Sequence, residues 1–126
     1  TGVQTCALPI WIEFILAFIR LVIMAPLAEE LLFRGYFLGR MSEKTGKWVA
    51  VLITSVAFGL MHLVGANESG EIVLQWGAAA DTFAMGLTAG VLRTLTGSIW
   101  AGVLLHGLKN AVAYYFLFVN PLPPGS

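Results

Sequence analysis

A long apolar segment, from about residue 10 to residue 38, is interrupted near its end by charged side chains in the run AEELLFRG at residues 28–35. Apolar residues with so few turn formers predict a helix, long enough to cross about 30 Å of hydrocarbon with some tilt. Pro26 is the one helix breaker, and membrane helices tolerate proline where neighbours bond the backbone group that it frees. The first element is therefore predicted to be a membrane-spanning helix with two carboxylates and a guanidinium inside it.

The two carboxylates of this helix have different neighbours. Glu30 and Arg34 stand four residues apart and share a helical face, whereas Glu29 points about 100° away from them. Because an unpaired ionisable group in hydrocarbon is costly, such a residue is a candidate for function. We interpret Glu30 and Arg34 as a structural clamp and Glu29 as the first candidate for chemistry.

The composition agrees with a membrane protein. Hydrophobic residues make up 58% of the chain and charged residues 11%, whereas a soluble domain has about 25% charged residues. The formal net charge is zero, so no nucleic-acid partner is indicated. A single cysteine, Cys6, excludes an internal disulfide framework and a cysteine-based zinc site. We therefore predict an all-α, polytopic membrane helix bundle whose partner is the lipid bilayer.

Hydrophobic periodicity divides the chain into four predicted transmembrane helices without a sheet, at about 10–38, 48–64, 73–95 and 99–119. Between them, loop 39–47 and turn 93–98 contain Lys or Arg, whereas loop 65–71 contains neither. The positive-inside rule then places loops 39–47 and 93–98 in the cytoplasm. These features predict a multi-pass membrane protein, and we expect its membrane to be a prokaryotic plasma membrane. The oligomeric state is unknown.

The two ends of the chain are predicted to lie outside the bundle. Residues 1–10, TGVQTCALPI, have no hydrophobic period and no basic signal-peptide region. We interpret them as a non-native leader or an assembly artefact, so Cys6 receives no functional role. The domain is predicted to cover residues 11–120, followed by a tail at 121–126.

Two further motifs place polar side chains inside apolar helices. Phe58 and His62 stand four apart in the second helix, as do His106 and Asn110 in the fourth. At about 1.5 Å per residue from the predicted cytoplasmic ends, these polar side chains and Glu29 lie about 12 to 21 Å deep. A shared depth favours one cavity, although a lone histidine in a helix is more often an interhelical hydrogen-bonding residue.

This set of side chains suits hydrolysis of a peptide bond. A carboxylate beside an imidazole can deprotonate water, and a second imidazole with an amide can donate hydrogen bonds to the oxyanion. Glu29, His62 and His106 could instead hold a zinc ion that generates the hydroxide; the residues leave both open, and no metal is favoured. A third interpretation is a proton pathway through Glu29, His62 and Asp81, although the inverted repeat of a transporter is lacking. Asp81 could equally bond a neighbouring helix.

Three motifs, EExxxR from Glu29, FxxxH from Phe58 and HxxxN from His106, follow one another along the chain. They resemble the signatures of the CAAX prenyl protease and bacteriocin-processing family, also called Abi. The resemblance implies an intramembrane endopeptidase in which Glu29, helped by His62, activates water. His106 and Asn110 would then form the oxyanion hole.

The same resemblance implies supporting roles and a substrate class. Glu30 and Arg34 would hold the shape of the site, with Phe58 beside them. The substrate would be a membrane peptide or protein, cleaved near its C-terminus or leader, as in bacteriocin processing. Family members usually have helices before the first motif, so this bundle is expected to be the C-terminal part of a larger one. The alternative is a non-catalytic binding or immunity protein of the same fold, against which the intact Glu29 and His62 argue.

Overall fold

The computed structural model describes residues 9–121, which form four helices and one short β-hairpin. The helices are α1 Ile10–Thr45, α2 Lys47–Met61, α3 Trp76–Thr96 and α4 Trp100–Val119, and the strands are β1 Val64–Ala66 and β2 Ile72–Leu74. Helix α2 packs mainly on α3, and α4 packs on both α3 and α1. The predicted leader, including Cys6, and the predicted tail lie almost wholly outside the described residues.

Two helices are long and apolar enough to cross a bilayer. They are α1, with 36 residues, and α4, with 20 residues. Helix α2 is apolar but has 15 residues, and α3 has 21 residues with many small side chains. Few side chains in the apolar windows of α1 and α4 are buried inside the bundle, so their apolar surface faces outwards, as lipid requires. The prediction of an all-α membrane helix bundle is confirmed.

Helix α1 is longer than predicted, because the segment 39–47 is largely helical and not a loop. The helix continues to Thr45, and the chain turns at Gly46, whose φ of +86° is one that glycine adopts easily. Met41, the one large apolar residue of this segment, lies three residues after the buried Leu38, and both pack in a cluster that includes Val51 of α2. Burial of that face outweighs the polar composition that predicted a loop.

The connection between α2 and α3 contains an antiparallel hairpin, so the prediction of no sheet is wrong at this point. Helix α2 ends at Met61 and α3 begins at Trp76, which leaves the apolar residues between them to form the strands. The turn is built by Asn67, whose Oδ1 accepts hydrogen bonds from the backbone N–H groups of Ser69 and Glu71 at 3.0 and 2.9 Å. Such side-chain to backbone bonds favour a turn over a continued helix.

Small residues allow α3 to approach α2 closely. A Cβ atom added at Gly86 would lie 3.3 Å from the Cα of Ser55, and one added at Gly90 would lie 3.0 Å from Cγ1 of Val51. Interfaces of this kind are typical of membrane helices, where packing of small residues replaces the hydrophobic drive.

Two parts of α1 have π-helical hydrogen bonding. They are Ile19–Met24, directly before the turn that contains Pro26, and Leu31–Phe37, which contains Arg34. Short π-helical segments often accompany functional sites. Both lie beside the polar side chains described next.

Candidate active site

The buried ion pair between Glu30 and Arg34 joins two turns of α1. Arg34 Nη1 donates a hydrogen bond to Glu30 Oε1 at 3.0 Å, and the side chains are 1% and 0% exposed. The guanidinium carbon lies 4.7 Å from the ring centroid of Phe58 on α2, within the range of a cation–π contact. The predicted i, i+4 pairing is therefore present, and it is fully enclosed by the bundle.

Two glycines on other helices make room for this ion pair. A Cβ atom at Gly102 of α4 would lie 2.7 Å from Glu30 Oε2, and one at Gly86 of α3 would lie 2.9 Å from Arg34 Nη2. Both distances are shorter than ordinary atomic contacts. Any larger residue at either position would displace part of the pair.

His106 of α4 lies between the two carboxylates of α1. Its Nδ1 atom is 3.3 Å from Glu30 Oε1, and its Nε2 atom is 3.7 Å from Glu29 Oε2. The Glu30 contact is at ion-pair distance but lacks the alignment of a hydrogen bond. The His106 side chain is 5% exposed and that of Glu29 is 32% exposed, so Glu29 is the carboxylate that remains accessible to a reactant.

His62 lies directly after the end of α2 and contacts the site through Phe58. Its Nδ1 atom is 2.9 Å from the carbonyl oxygen of Phe58. The fully buried Phe58 ring lies 4.9 Å from the ring of His62 and 5.8 Å from that of His106, both edge to face. Within residues 9–121, His62 forms no ion pair or hydrogen bond with Glu29, so the structure brings Glu29 together with His106 instead.

Asn110 of α4 contacts the backbone of α1. Its Nδ2 atom donates a hydrogen bond to the carbonyl oxygen of Leu21 at 2.8 Å, and the residue is half-buried. A primary amide has two N–H donors, so this bond uses one of them. The sequence contains a signal for this contact. Pro26 has no backbone N–H, so a carbonyl oxygen one turn earlier in α1 is left for another donor.

Within the described residues, Asp81 forms its ion pair with Lys109 and none with the carboxylate and histidine cluster. Its Oδ2 atom lies 2.6 Å from Nζ of Lys109, and their side chains are 60% and 31% exposed. This ion pair links α3 to α4, which is the interhelical role left open for Asp81. Lys109 was not singled out from the sequence, although its place between His106 and Asn110 could have drawn attention to it.

Comparison with known proteins adds to this geometry. Residues 11–112 match the family described as type II CAAX prenyl endopeptidase, Rce1-like. The chain belongs to this Rce1-like family. The matched segment contains the three motifs and all four helices up to the middle of α4, so the resemblance seen in the motifs is confirmed.

Two curated relatives of this Rce1-like chain can be named. A Bacillus subtilis (strain 168) protein named "Putative membrane peptidase YdiL" is 31% identical over 102 residues, which cover 81% of this chain and 36% of the relative. An Escherichia coli protein named "Uncharacterized 24.3 kDa protein" is 34% identical over 96 residues, covering 75% of this chain and 41% of the relative. The chain thus spans less than half the length of either relative. No solved structure matches it significantly.

The side chains suggested as zinc ligands do not form a ligand group in this Rce1-like chain. In the part of the chain that the structure describes, no three His, Cys, Asp or Glu side chains lie close enough together to hold a metal ion. Glu29 and His106 lie together, whereas His62 packs against the Phe58 ring. The geometry therefore pairs one carboxylate, Glu29, with one imidazole, His106.

Proposed function

We propose that this protein is an intramembrane endopeptidase in which Glu29 is the general base. The observation that carries this proposal is the 3.7 Å approach of Glu29 Oε2 to His106 Nε2. Attack of water on a carbonyl needs one group that accepts a proton and another that stabilises the oxyanion, and these two atoms supply them. Membership of the Rce1-like family and a relative named as a membrane peptidase support the same class.

The charges around His106 suit this role. The Nδ1 atom of His106 lies 3.3 Å from Glu30 Oε1, and the same oxygen accepts a hydrogen bond from Arg34 Nη1 at 3.0 Å. The buried Glu30 carboxylate therefore has a positive partner, which matters because an uncompensated charge in a low-dielectric interior is costly. Glu30 orients the imidazole, and Arg34 holds Glu30.

The reaction follows from these positions. Glu29 takes a proton from a water molecule, and the hydroxide oxygen bonds to the carbonyl carbon of the scissile peptide. The oxyanion receives hydrogen bonds from His106 Nε2 and from an N–H of Asn110. When the carbon–nitrogen bond breaks, the proton held by Glu29 passes to the leaving amine. His62, whose ring packs against that of Phe58, is proposed to assist Glu29.

The substrate is proposed to be a membrane-associated peptide or protein, cleaved near its C-terminus or leader. An apolar groove of about 420 Å³ lies between α1 and α4, lined by residues such as Leu27, Val103 and Gly107. Gly107 directly follows His106, so an apolar part of a substrate in this groove would lie next to the site. The protein is proposed to be a multi-pass protein of a prokaryotic plasma membrane that needs no cofactor.

Cleavage of a membrane-peptide library by the full-length protein tests this proposal. We expect Glu29→Ala to abolish cleavage, because no other carboxylate lies within reach of His106 Nε2 in residues 9–121. Glu43→Ala is the matched control, since Glu43 is an exposed carboxylate of the same helix. Equal cleavage by wild type and Glu29→Ala would contradict the proposal. Peptide binding without cleavage by the wild type would favour a non-catalytic binding or immunity protein.

A further inference from the structure

The carbonyl oxygen of Leu21 lacks a backbone donor because of Pro26. In the π-helical segment before the proline, the N–H of Ala25 donates to the carbonyl of Arg20, five residues earlier. The next residue in this register, Pro26, would donate to Leu21, but proline has no N–H. A backbone carbonyl left without a partner inside a bundle is costly in lipid, so another group is needed there.

Helix α4 supplies that group. Asn110 Nδ2 donates to the Leu21 oxygen at 2.8 Å. One turn earlier, Gly107 lies so close to α1 that an added Cβ atom would be 3.0 Å from the carbonyl oxygen of Val22. Val22 is the residue that Pro26 would bond in a regular α-helix. The face of α4 between Gly107 and Asn110 therefore lies against both carbonyls that an N–H at position 26 could bond, Leu21 in the π-helical register and Val22 in the α-helical one.

We propose that Pro26 and the Leu21 carbonyl are positioning elements for Asn110, and this inference rests on the proposed function. One N–H of the Asn110 amide is held by Leu21, which fixes the plane of the amide. The second N–H of the same nitrogen is thereby directed to one place, where it donates to the oxyanion. Pro26 touches no reacting atom, and it acts by withholding a backbone donor.

The proposal differs from a purely structural role of the hydrogen bond. A bond that only joins α1 to α4 would make Pro26→Ala destabilising or neutral, and it would leave the catalytic step unchanged. If the proline leaves the Leu21 carbonyl to Asn110 alone, Pro26→Ala introduces an N–H that bonds this carbonyl along the helix axis, draws it back into the helix and weakens its bond to Asn110. The helix itself gains a hydrogen bond, because alanine has the N–H that proline lacks. Alanine is also a far better helix former than proline.

The test compares four variants of the full-length protein: Pro26→Ala, Asn110→Ala, the double variant and Met24→Ala. For Pro26→Ala we expect kcat to fall on the order of 10²-fold, the effect of a misplacement of about 1 Å, with KM little changed and the melting temperature equal or higher. The double variant should be no slower than Asn110→Ala. Met24→Ala, two residues before the proline and outside the substrate groove, controls for packing in this part of α1, and its effect should multiply with that of Asn110→Ala.

A second measurement does not depend on cleavage. In protein labelled with ¹⁵N-asparagine, the side-chain amide of Asn110, identified by its loss in Asn110→Ala, should exchange hydrogen faster in Pro26→Ala than in wild type. Unchanged exchange, or effects of Pro26→Ala and Asn110→Ala that multiply, would overturn the inference. If the wild type cleaves no peptide, the proposed function fails, whereas the exchange measurement still decides whether Pro26 positions Asn110.

Discussion

The Nδ1 atom of His106 lies 3.3 Å from Oε1 of Glu30, the carboxylate oxygen that also accepts the hydrogen bond from Arg34. Glu30 thus links an ion pair within the first helix to an imidazole of the fourth. Because Glu30 is 0% exposed, this link excludes water and makes the orientation of His106 dependent on the buried pair.

Removal of either partner of the buried ion pair should chiefly lower stability. Glu30→Gln or Arg34→Ala leaves the remaining charge without compensation, at a cost of about 3–5 kcal/mol in free energy of unfolding. Denaturant titration or thermal melting in detergent measures this. Arg40→Ala is the control, because its ion pair with Glu43 is 67% exposed on both sides and should matter by about 0.5 kcal/mol or less. Lost cleavage with unchanged melting in both buried variants would contradict this assignment.

Substitution of Gly102 should disturb the same pair from the opposite helix. Gly102→Ala places a methyl group 2.7 Å from Glu30 Oε2, and overpacking of this kind costs about 1–3 kcal/mol. Gly39→Ala, also in a helix, meets no atom within 4 Å and should stabilise by about 0.5–1 kcal/mol. Melting curves of the two variants should therefore shift in opposite directions. Equal shifts would show that Gly102 does not accommodate Glu30.

Kinetics should separate the base from an oxyanion donor. Glu29→Ala should abolish turnover, whereas Asn110→Ala should retain a residual rate, because the loss of one oxyanion donor lowers kcat on the order of 10²–10³-fold. Single-turnover measurements with a cleavable peptide distinguish the two. If both variants lost all turnover, Asn110 would have a role other than that of one oxyanion donor among several.

Metal removal should leave cleavage unchanged. If Glu29 deprotonates the water and His106 stabilises the oxyanion, no metal takes part in the reaction. Exhaustive chelation then removes nothing that cleavage needs. A zinc-generated hydroxide would instead require the metal, so chelation would erase cleavage and added Zn²⁺ would restore it. The measurement is activity against bound zinc per protein, and activity that tracks zinc occupancy would contradict the prediction.

Features that depend on spacing along one helix could be predicted from the sequence. Glu30 and Arg34 share a face because a helix brings residues four apart together, and the structure contains that pair. The four helices likewise follow from long apolar segments whose composition resembles no soluble domain. Their ends are less well predicted, because packing of the partly buried Met41 on α2 extends α1 through a polar segment and a turn at Asn67 creates a hairpin.

Contacts between helices were decided only by the tertiary structure. The sequence placed Glu29, His62, His106 and Asn110 at similar depths, but depth does not state which way each helix is rotated about its axis. That rotation depends on close packing at small residues, and Gly102 and Gly107 allow α4 to pack closely against α1. As a result His106, and not His62, meets Glu29. The amide of Asn110 donates to the Leu21 carbonyl of α1, because Pro26 has no N–H to donate to that carbonyl.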